Sequence, residues 1–186
     1  MASDLVAEKG LVQLSLDDVC ERAKVSKGQL YHYFASRGAL VTALTEHVVT
    51  EVLDLQSPLF AQLDTLAGLQ FWVSAVVQYH ARRGARGGCP IGSLISQLDR
   101  GDEASRAVIA RGFQQWGDAL EEGLATMVRS GHLDDSIDPA YEARLLVIAL
   151  EGGLLLTDVY RSTIWLREAL DARLQHLRLH LASARV

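Results

Sequence analysis

The sequence predicts an all-α protein of about nine helices, in which a small N-terminal unit precedes a larger helical domain. Apolar residues recur at helical spacing in several long segments, for example at Leu40, Leu44 and Val48. No segment alternates apolar and polar residues as a half-buried strand does. The 186 residues include 3 prolines, so helices can run long between them. The predicted helices cover about 2–9, 16–22, 27–33, 37–55, 60–83, 90–98, 103–129, 139–160 and 163–182.

Helix-breaking and capping residues divide the chain into these segments. Gly10 is expected to end the first helix, and Ser15, which two acidic residues follow closely, is expected to cap the second. Pro58 predicts a break between the fourth and fifth helices. The segment 84–90, rich in glycine and arginine, predicts a loop, and Pro139 predicts the first turn of the eighth helix.

The composition limits the class of protein. Hydrophobic residues make up 49% and charged residues 22% of the chain, as in an ordinary globular domain. A formal net charge of -5 argues against polyanion binding by the whole surface, so any nucleic-acid contact must come from a local patch. Two distant cysteines, Cys20 and Cys89, form no disulfide framework and are typical of a reducing cytoplasm. We therefore expect a cytoplasmic protein with no metal, no cofactor and no membrane segment.

Residues 15–44 (SLDDVCERAKVSKGQLYHYFASRGALVTAL) predict two short helices joined by a tight turn. Apolar residues on both sides of the turn, such as Val19 and Leu30, can lock the two helices together. This arrangement is a helix-turn-helix, whose second helix can lie in a DNA major groove. Between residues 23 and 37 the chain has three cations and no acid, which favours contact with DNA phosphates.

The side chains of the second short helix suit direct contact with DNA. Lys27 can reach guanine, and Gln29 can pair bidentately with adenine. Gly28 allows the backbone to approach a phosphate or a base edge, and the hydroxyl and cationic groups suit phosphate oxygens. The DNA-contacting residues that we predict are Ser15, Ser26, Lys27, Gly28, Gln29, Tyr31, His32, Tyr33 and Arg37.

A solvated polar face is the alternative interpretation of these residues. Residues 1–50 carry five lysines and arginines against six acids, so charge alone does not favour DNA. The segment VSKGQLYHYFASRGAL, however, resembles the signature of the tetracycline-repressor (TetR) family. The chain departs from that pattern at Tyr33, where histidine is usual, at Arg37-Gly38, where Lys-Glu is usual, and in its short first helix. The matching residues are Val25, Ser26, Lys27, Gly28, Leu30, Tyr31, Phe34, Ser36 and Leu40.

The resemblance implies a homodimeric repressor that binds a double-stranded DNA operator and leaves it when a small-molecule inducer binds. It implies a DNA-binding domain at residues 1–45 and a ligand-binding, dimerising domain at residues 46–186. The segment Gly88-Cys89-Pro90 also resembles a TetR subgroup with a Gly-Cys-Pro or Gly-Cys-Leu motif, which includes regulators of drug-efflux genes and sensors of electrophiles. We therefore expect an apolar, aromatic or electrophilic inducer.

Cys89 is open to two interpretations. Pro90 suits the first position of a helix, which makes Cys89 the N-cap, where the helix dipole favours a thiolate. The thiol is then either reactive toward oxidants and electrophiles or a small packed residue whose reactivity is unused.

Aromatic and polar side chains on the long helices predict an apolar ligand pocket with a few polar groups. The alternative is that each aromatic residue belongs to the core, and that Glu151 is exposed or paired with an arginine. The ligand-binding residues that we predict are Trp72, Tyr79, Cys89, Trp116, Leu120, Glu151 and Leu155.

The last two predicted helices favour dimerisation. Residues 145–156 are apolar nearly all round, which is unusual for a surface helix of a monomer. Gly152 and Gly153 each cost roughly 1 kcal/mol in a helix interior relative to alanine, a cost that a close helix crossing would offset. Together with the leucine stripe of the final helix, these features predict a four-helix interface between two subunits.

Two other classes of function are weighed against this interpretation. An enzyme is disfavoured because the six histidines and the acids show no metal-ligand spacing, and there is no phosphate loop or nucleophile motif. A helical small-molecule-binding or interaction protein without DNA binding would explain the amphipathic helices, but not the acid-free segment 23–37.

Overall fold

The computed structural model describes residue 10 and residues 15–181. No strand occurs among these residues, although Leu133 and Leu181 form an isolated antiparallel bridge. The all-α prediction is confirmed, while the helix predicted at 2–9 lies outside the described residues. The helices of the described part are α1 (Leu16–Ala23), α2 (Lys27–Tyr33), α3 (Arg37–Phe60), α4 (Leu66–Arg82), α5 (Pro90–Ile95), α6 (Glu103–Arg129), α7 (Pro139–Tyr160) and α8 (Ile164–Leu179).

Capping side chains account for where several helices start. The Ser15 hydroxyl accepts from the Asp18 N–H at 3.1 Å, and the Asp18 carboxylate accepts from the Ser15 N–H at 2.9 Å, which is a capping box. At the start of α7 the Asp138 carboxylate accepts from two N–H groups of the first turn, and Pro139 opens the helix as predicted. Gly10 has a φ of 72°, in the left-handed region that favours glycine, and the helix that it was predicted to end lies outside the described residues.

Pro58 does not separate two helices, so that prediction is wrong. Helix α3 continues two residues past Pro58, which lies in its last turn. Proline has no N–H, so the carbonyl of Asp54 loses its usual helical donor. The Ser57 hydroxyl instead donates to that carbonyl at 3.1 Å. Because this acceptor is satisfied, the helix survives for the rest of its last turn, and α4 begins at Leu66.

The chain divides into two compact units. Unit 1 comprises the described residues up to Leu53 together with Pro90–Gly112. Its core includes the buried stripe of α3, and a Cβ placed on Gly112 would lie 2.7 Å from Cγ1 of Val49. Helices α3 and α6 therefore cross closely in this unit. The functional division predicted at residue 45 is a separate matter and stays a prediction.

Unit 2 comprises Asp54–Cys89 and the described residues from Phe113 onward. Helices α7 and α8 pack against each other, and α4 also contacts α8. A Cβ on Gly153 would lie only 2.8 Å from Cα of Leu166, which shows how closely the backbones of α7 and α8 approach. The leucine stripe of the final helix, predicted to form part of the interface between subunits, is instead buried within the subunit, because α7 and α4 cover it. Its residues are Leu166, Leu170, Leu174 and Leu177.

A partly buried ion pair joins the first turn of α7 to α8. Glu142 is buried in the first turn of α7, and the Arg173 guanidinium donates to its carboxylate. Nε2 of His176 lies 3.2 Å from the same carboxylate. No helix in the described part of the chain is both long and apolar enough to cross a membrane.

Candidate nucleic-acid interface and ligand-binding helices

The turn between α1 and α2 sets the direction of α2. Lys24 has a φ of 55°, and the N–H of Val25 donates to the carbonyl of Cys20 at 3.0 Å. Leu30 is buried at the centre of α2, and the two short helices contact each other. These contacts form the helix-turn-helix that the sequence predicts.

All of the residues predicted to contact DNA are exposed. A Cβ on Gly28 would lie 3.9 Å from Oγ of Ser26, an ordinary contact, so packing within the subunit does not require glycine there. The rings of His32 and Tyr33 meet edge-on with their centroids 5.5 Å apart. Exposure is necessary for contact with DNA, and the role of each residue stays a prediction.

Lys27 is held by an acidic residue of the preceding helix. Its Nζ lies 2.8 Å from Oδ1 of Asp17, and both side chains are exposed. The hydrogen bond and the charge of Asp17 raise the pKa of the Lys27 ammonium, so Lys27 is fully cationic at neutral pH. The ion pair joins the first turn of α1 to the first turn of α2.

Gln29 has a structural role that the sequence analysis missed. The Gln29 N–H donates to Oγ of Ser26 at 3.2 Å, and Oε1 of Gln29 accepts from the Ser26 N–H at 2.8 Å. This is a capping box that fixes the start of α2. The pattern Ser-x-x-Gln is the signal that could have revealed it.

The residues predicted to bind a ligand all belong to unit 2, but they differ in environment. Trp72, Trp116 and Leu120 are buried, whereas Tyr79 is partly exposed and meets His80 edge-on at 5.1 Å. Trp72 donates its N–H to Oε1 of Gln56 at 2.8 Å, which is the arrangement of a satisfied core residue.

Several buried polar atoms have no hydrogen-bond partner in the described part of the chain. Burial and the charge of Arg83 lower the pKa of His80 to about 4, so its imidazole is neutral at pH 7. Buried polar groups in proteins are normally bonded to protein, water or ligand. These atoms are Nδ1 of His80 on α4, Nε1 of Trp116 on α6, Oε1 of Glu151 and Oγ1 of Thr157 on α7, and Nε of Arg173 on α8.

Cys89 is a buried free cysteine directly before Pro90, which opens α5. Its thiol is hydrogen-bonded to the carboxyl group of Glu151. Burial raises the pKa of Glu151, and the hydrogen bond from the thiol opposes that shift. Glu151 is therefore half-buried beside the Cys89 thiol, and its role in ligand binding stays a prediction. A buried thiol beside a carboxyl group is in poor surroundings for ionisation.

Helix α7 and the start of α8 expose an apolar surface, which we call the α7–α8 face. Leu155 is 64% exposed and belongs to this surface, not to the buried aromatic residues. The rings of Tyr160 and Trp165 stack on it with their centroids 4.8 Å apart. The residues of the α7–α8 face are Ile148, Leu155, Leu156, Val159, Tyr160, Ile164 and Trp165.

A cavity of about 360 Å³ also lies in unit 2, and it is open to solvent. None of the predicted ligand-binding residues lines it. Among residues 10 and 15–181, no three histidine, cysteine or acidic side chains are grouped so that they could hold a metal ion. The lining residues are Phe60, Ala61, Asp64, Ala119, Glu122, Gly123 and Thr126.

Comparison with known protein families finds matches to both parts of the chain. The family described as "Bacterial regulatory proteins, tetR family" matches residues 1–44. The family described as "Tetracyclin repressor-like, C-terminal domain" matches residues 65–173.

Individual relatives match along most of their length. The transcriptional regulator AcuR of Cereibacter sphaeroides is 29% identical over 81% of this chain and 69% of that protein. The HTH-type transcriptional repressor DhaR of a Mycobacterium species is 23% identical over 88% of this chain and 80% of that protein.

Solved structures share the fold. A regulatory protein TetR from Rhodobacter sphaeroides superposes with a TM-score of 0.78 at 24% identity, over 93% of both chains. The reduced form of E. coli NemR superposes with a TM-score of 0.69 at 22% identity, over 100% of this chain and 95% of that one.

Proposed function

Because the chain belongs to the TetR family of bacterial transcriptional regulators, we propose that it is a repressor, released from its operator by a small-molecule inducer. It is a transcriptional regulator and not an enzyme. The observation that carries the proposal is helix α2, which exposes cationic, hydroxyl and amide groups on a helix-turn-helix. A cytoplasmic location follows from a DNA target.

Contact with DNA would divide between phosphates and bases. Arg37 opens α3, and Tyr31 lies on α2; both side chains are exposed and suit phosphate oxygens. Arg37→Ala should weaken binding to all sequences alike and reduce the salt slope of the binding constant by about 1. Arg86→Ala is the matched control, since Arg86 is an exposed arginine in a loop of unit 2. Equal loss of affinity in both variants would contradict the assignment.

The α7–α8 face supports a homodimer as the DNA-binding form. A contiguous exposed apolar surface usually marks a site of protein association, and its partner would be a second copy packing in a four-helix arrangement. The operator would then be pseudo-palindromic, with the two copies of α2 roughly 34–36 Å apart or a multiple of that distance.

Light scattering at micromolar concentration tests this assembly. The parent should be a dimer, and Ile148→Glu should shift it toward monomer by placing a charge on the α7–α8 face. Phe71→Glu is the control, because Phe71 is similarly exposed but lies on α4. A monomeric parent, or an Ile148→Glu variant that stays dimeric, would overturn the proposal.

The inducer would be an apolar or aromatic small molecule that carries a hydrogen-bond acceptor. This chemistry would satisfy the buried Trp116 N–H, which has no partner in the described part of the chain. A coupling of about 1–3 kcal/mol between ligand and DNA would suffice for induction.

Release of labelled operator DNA by a panel of such compounds provides the test. Trp116→Phe keeps most of the aromatic ring but removes the N–H donor. This variant should bind the operator like the parent but release it less readily when the compound is added. Trp72→Phe removes an N–H that is already bonded to Gln56 and should respond like the parent. If Trp116→Phe also responds like the parent, the ligand lies elsewhere.

An electrophilic inducer would act at Cys89 instead. Its alkylation rate, measured against pH for the parent and for Cys89→Ser, separates the two modes. A thiol with the pKa of free cysteine or above, and operator affinity unchanged after alkylation, would exclude the electrophilic mode.

A further inference from the structure

We propose that Gln29 reads a guanine in the operator through its amide NH₂ group alone, and not an adenine through both amide atoms. This inference rests on the proposed function, because it requires that α2 enters a major groove. It assigns the base that one side chain recognises, which neither the fold nor the helix-turn-helix motif specifies.

The geometry of the first turn of α2 separates the two atoms of the Gln29 amide. Oε1 accepts a hydrogen bond from the Ser26 N–H at 2.8 Å, while the Gln29 N–H donates to Oγ of Ser26 at 3.2 Å. The side chain is thereby folded back over its own helix start. Nε2 has no hydrogen-bond partner in the described part of the chain, and the residue is exposed. The group left for DNA is therefore a donor with two hydrogens.

A bidentate contact to adenine conflicts with this cap. It requires Oε1 to accept from N6 while Nε2 donates to N7, with the amide aligned along the base edge. To adopt that alignment, Gln29 would have to release the Ser26 N–H and uncap the helix. Helix α2 is seven residues long and buries Leu30 directly after Gln29. A helix this short depends on its cap, so we expect the cap to persist on DNA.

The four bases differ in the groups that they present in the major groove to a side chain that can only donate hydrogen bonds. Guanine presents two adjacent acceptors, O6 and N7, in the major groove. Adenine places its N6 donor beside N7, thymine places a methyl group beside O4, and cytosine presents a donor. Guanine is thus the base at which both hydrogens of the Gln29 NH₂ group find acceptors.

The placement of Lys27 leaves this role to Gln29. Lys27 is the other donor of the first turn and was predicted to reach guanine. Its ammonium is held 2.8 Å from the Asp17 carboxylate, toward the first turn of α1. Gln29 therefore offers the exposed donor of this turn that is not already paired with an acid.

Selection from a random duplex library, followed by competition binding, tests the proposal. The parent should select guanine at one position of each half-site, and substitution of that base should weaken binding roughly 5- to 150-fold, equivalent to about 1–3 kcal/mol. Gln29→Ala should lose preference at that position and should also melt at a lower temperature, because the cap is lost.

Gln29→Glu is the decisive variant. Glutamate is itself a capping-box residue, so the Ser26 N–H keeps its acceptor and the melting temperature should stay near that of the parent. The free atom becomes an acceptor, which suits N4 of cytosine. The selected base should therefore change from guanine to cytosine at the same position.

Two results would overturn the inference while leaving the proposed function intact. One is selection of adenine by the parent at the position where Gln29→Ala loses its base preference. The other is a Gln29→Glu variant that selects the same base as the parent. If the parent enriched no duplex at all, the proposed function itself would be contradicted, and this inference with it.

Discussion

A methyl group added at Gly153 should destabilise the fold, whereas one added at the adjacent Gly152 should not. A Cβ on Gly153 would lie 2.8 Å from Cα and 3.1 Å from Cδ1 of Leu166. The first of these atoms is backbone, so it cannot move aside by changing rotamer. Leu166 is fully buried, so α8 could yield only by disturbing packed neighbours. A Cβ on Gly152 meets no atom of the described residues within 4 Å.

The expected magnitude follows from two opposing contributions. Alanine in place of a helical glycine raises the free energy of unfolding by about 1 kcal/mol at either position, through its higher helix propensity. Overpacking at Gly153 costs about 1–3 kcal/mol, so Gly153→Ala should be less stable than Gly152→Ala by that amount. For a chain of this size the difference corresponds to several degrees in melting temperature.

Thermal and urea unfolding of the two alanine variants and the parent measure this difference. Because Gly152 lies on the exposed side of α7, the unfolding should be repeated over a range of protein concentrations, which separates subunit stability from dimer stability. If Gly153→Ala proved at least as stable as Gly152→Ala under all of these conditions, the close α7–α8 crossing would be refuted.

Three further predictions concern charged and titratable groups. Arg173→Met should leave the buried Glu142 carboxylate without its main partner and lower the free energy of unfolding by roughly 3–5 kcal/mol in urea, and a loss below 1 kcal/mol would contradict this. The pKa of His80 is about 4 in the folded protein, below its ordinary value of 6.5, so the neutral imidazole contributes its full stabilisation above about pH 6.5 and loses it as the pH falls toward 4. His80→Gln should therefore make the melting temperature less dependent on pH between 6.5 and 4, and a pH profile identical to that of the parent would refute this. Asp17→Asn should tighten DNA binding, most at low salt, because it frees Lys27 and removes an acid beside α2, whereas unchanged affinity would show that the ion pair does not compete with DNA.

The sequence was sufficient to predict the long helices α3, α4, α6 and α8, because each carries an apolar stripe at helical spacing. Helix α6, for example, has the bounds that its apolar stripe predicts. The error at Pro58 arose from a local contact, since a single hydroxyl replaced the missing donor. Gln29 was interpreted as a base-reading residue alone, although Ser-x-x-Gln also predicts a capping box.

Contacts between distant residues were beyond prediction from periodicity. No local sequence pattern indicates that Glu151 contacts Cys89, or that Glu142 contacts Arg173, because these partners meet only after the helices pack. Leu155 was predicted to bind ligand together with aromatic residues of the long helices, and its exposure could not be foreseen because α7 is apolar nearly all round. Which side of such a helix is buried depends on its neighbours, and α8 covers the side that carries Gly153.

Sequence-specific DNA binding by the helix-turn-helix is the property that the proposed function requires above all others. Fluorescence anisotropy, with a duplex selected by the protein and a scrambled duplex of the same length, measures it over a series of salt concentrations. We expect the selected duplex to bind at least about 1,000-fold more tightly than the scrambled one near physiological salt, with affinity falling steeply as salt rises. Equal affinity for the two duplexes, or no binding to either, would contradict a sequence-specific regulatory role for this protein.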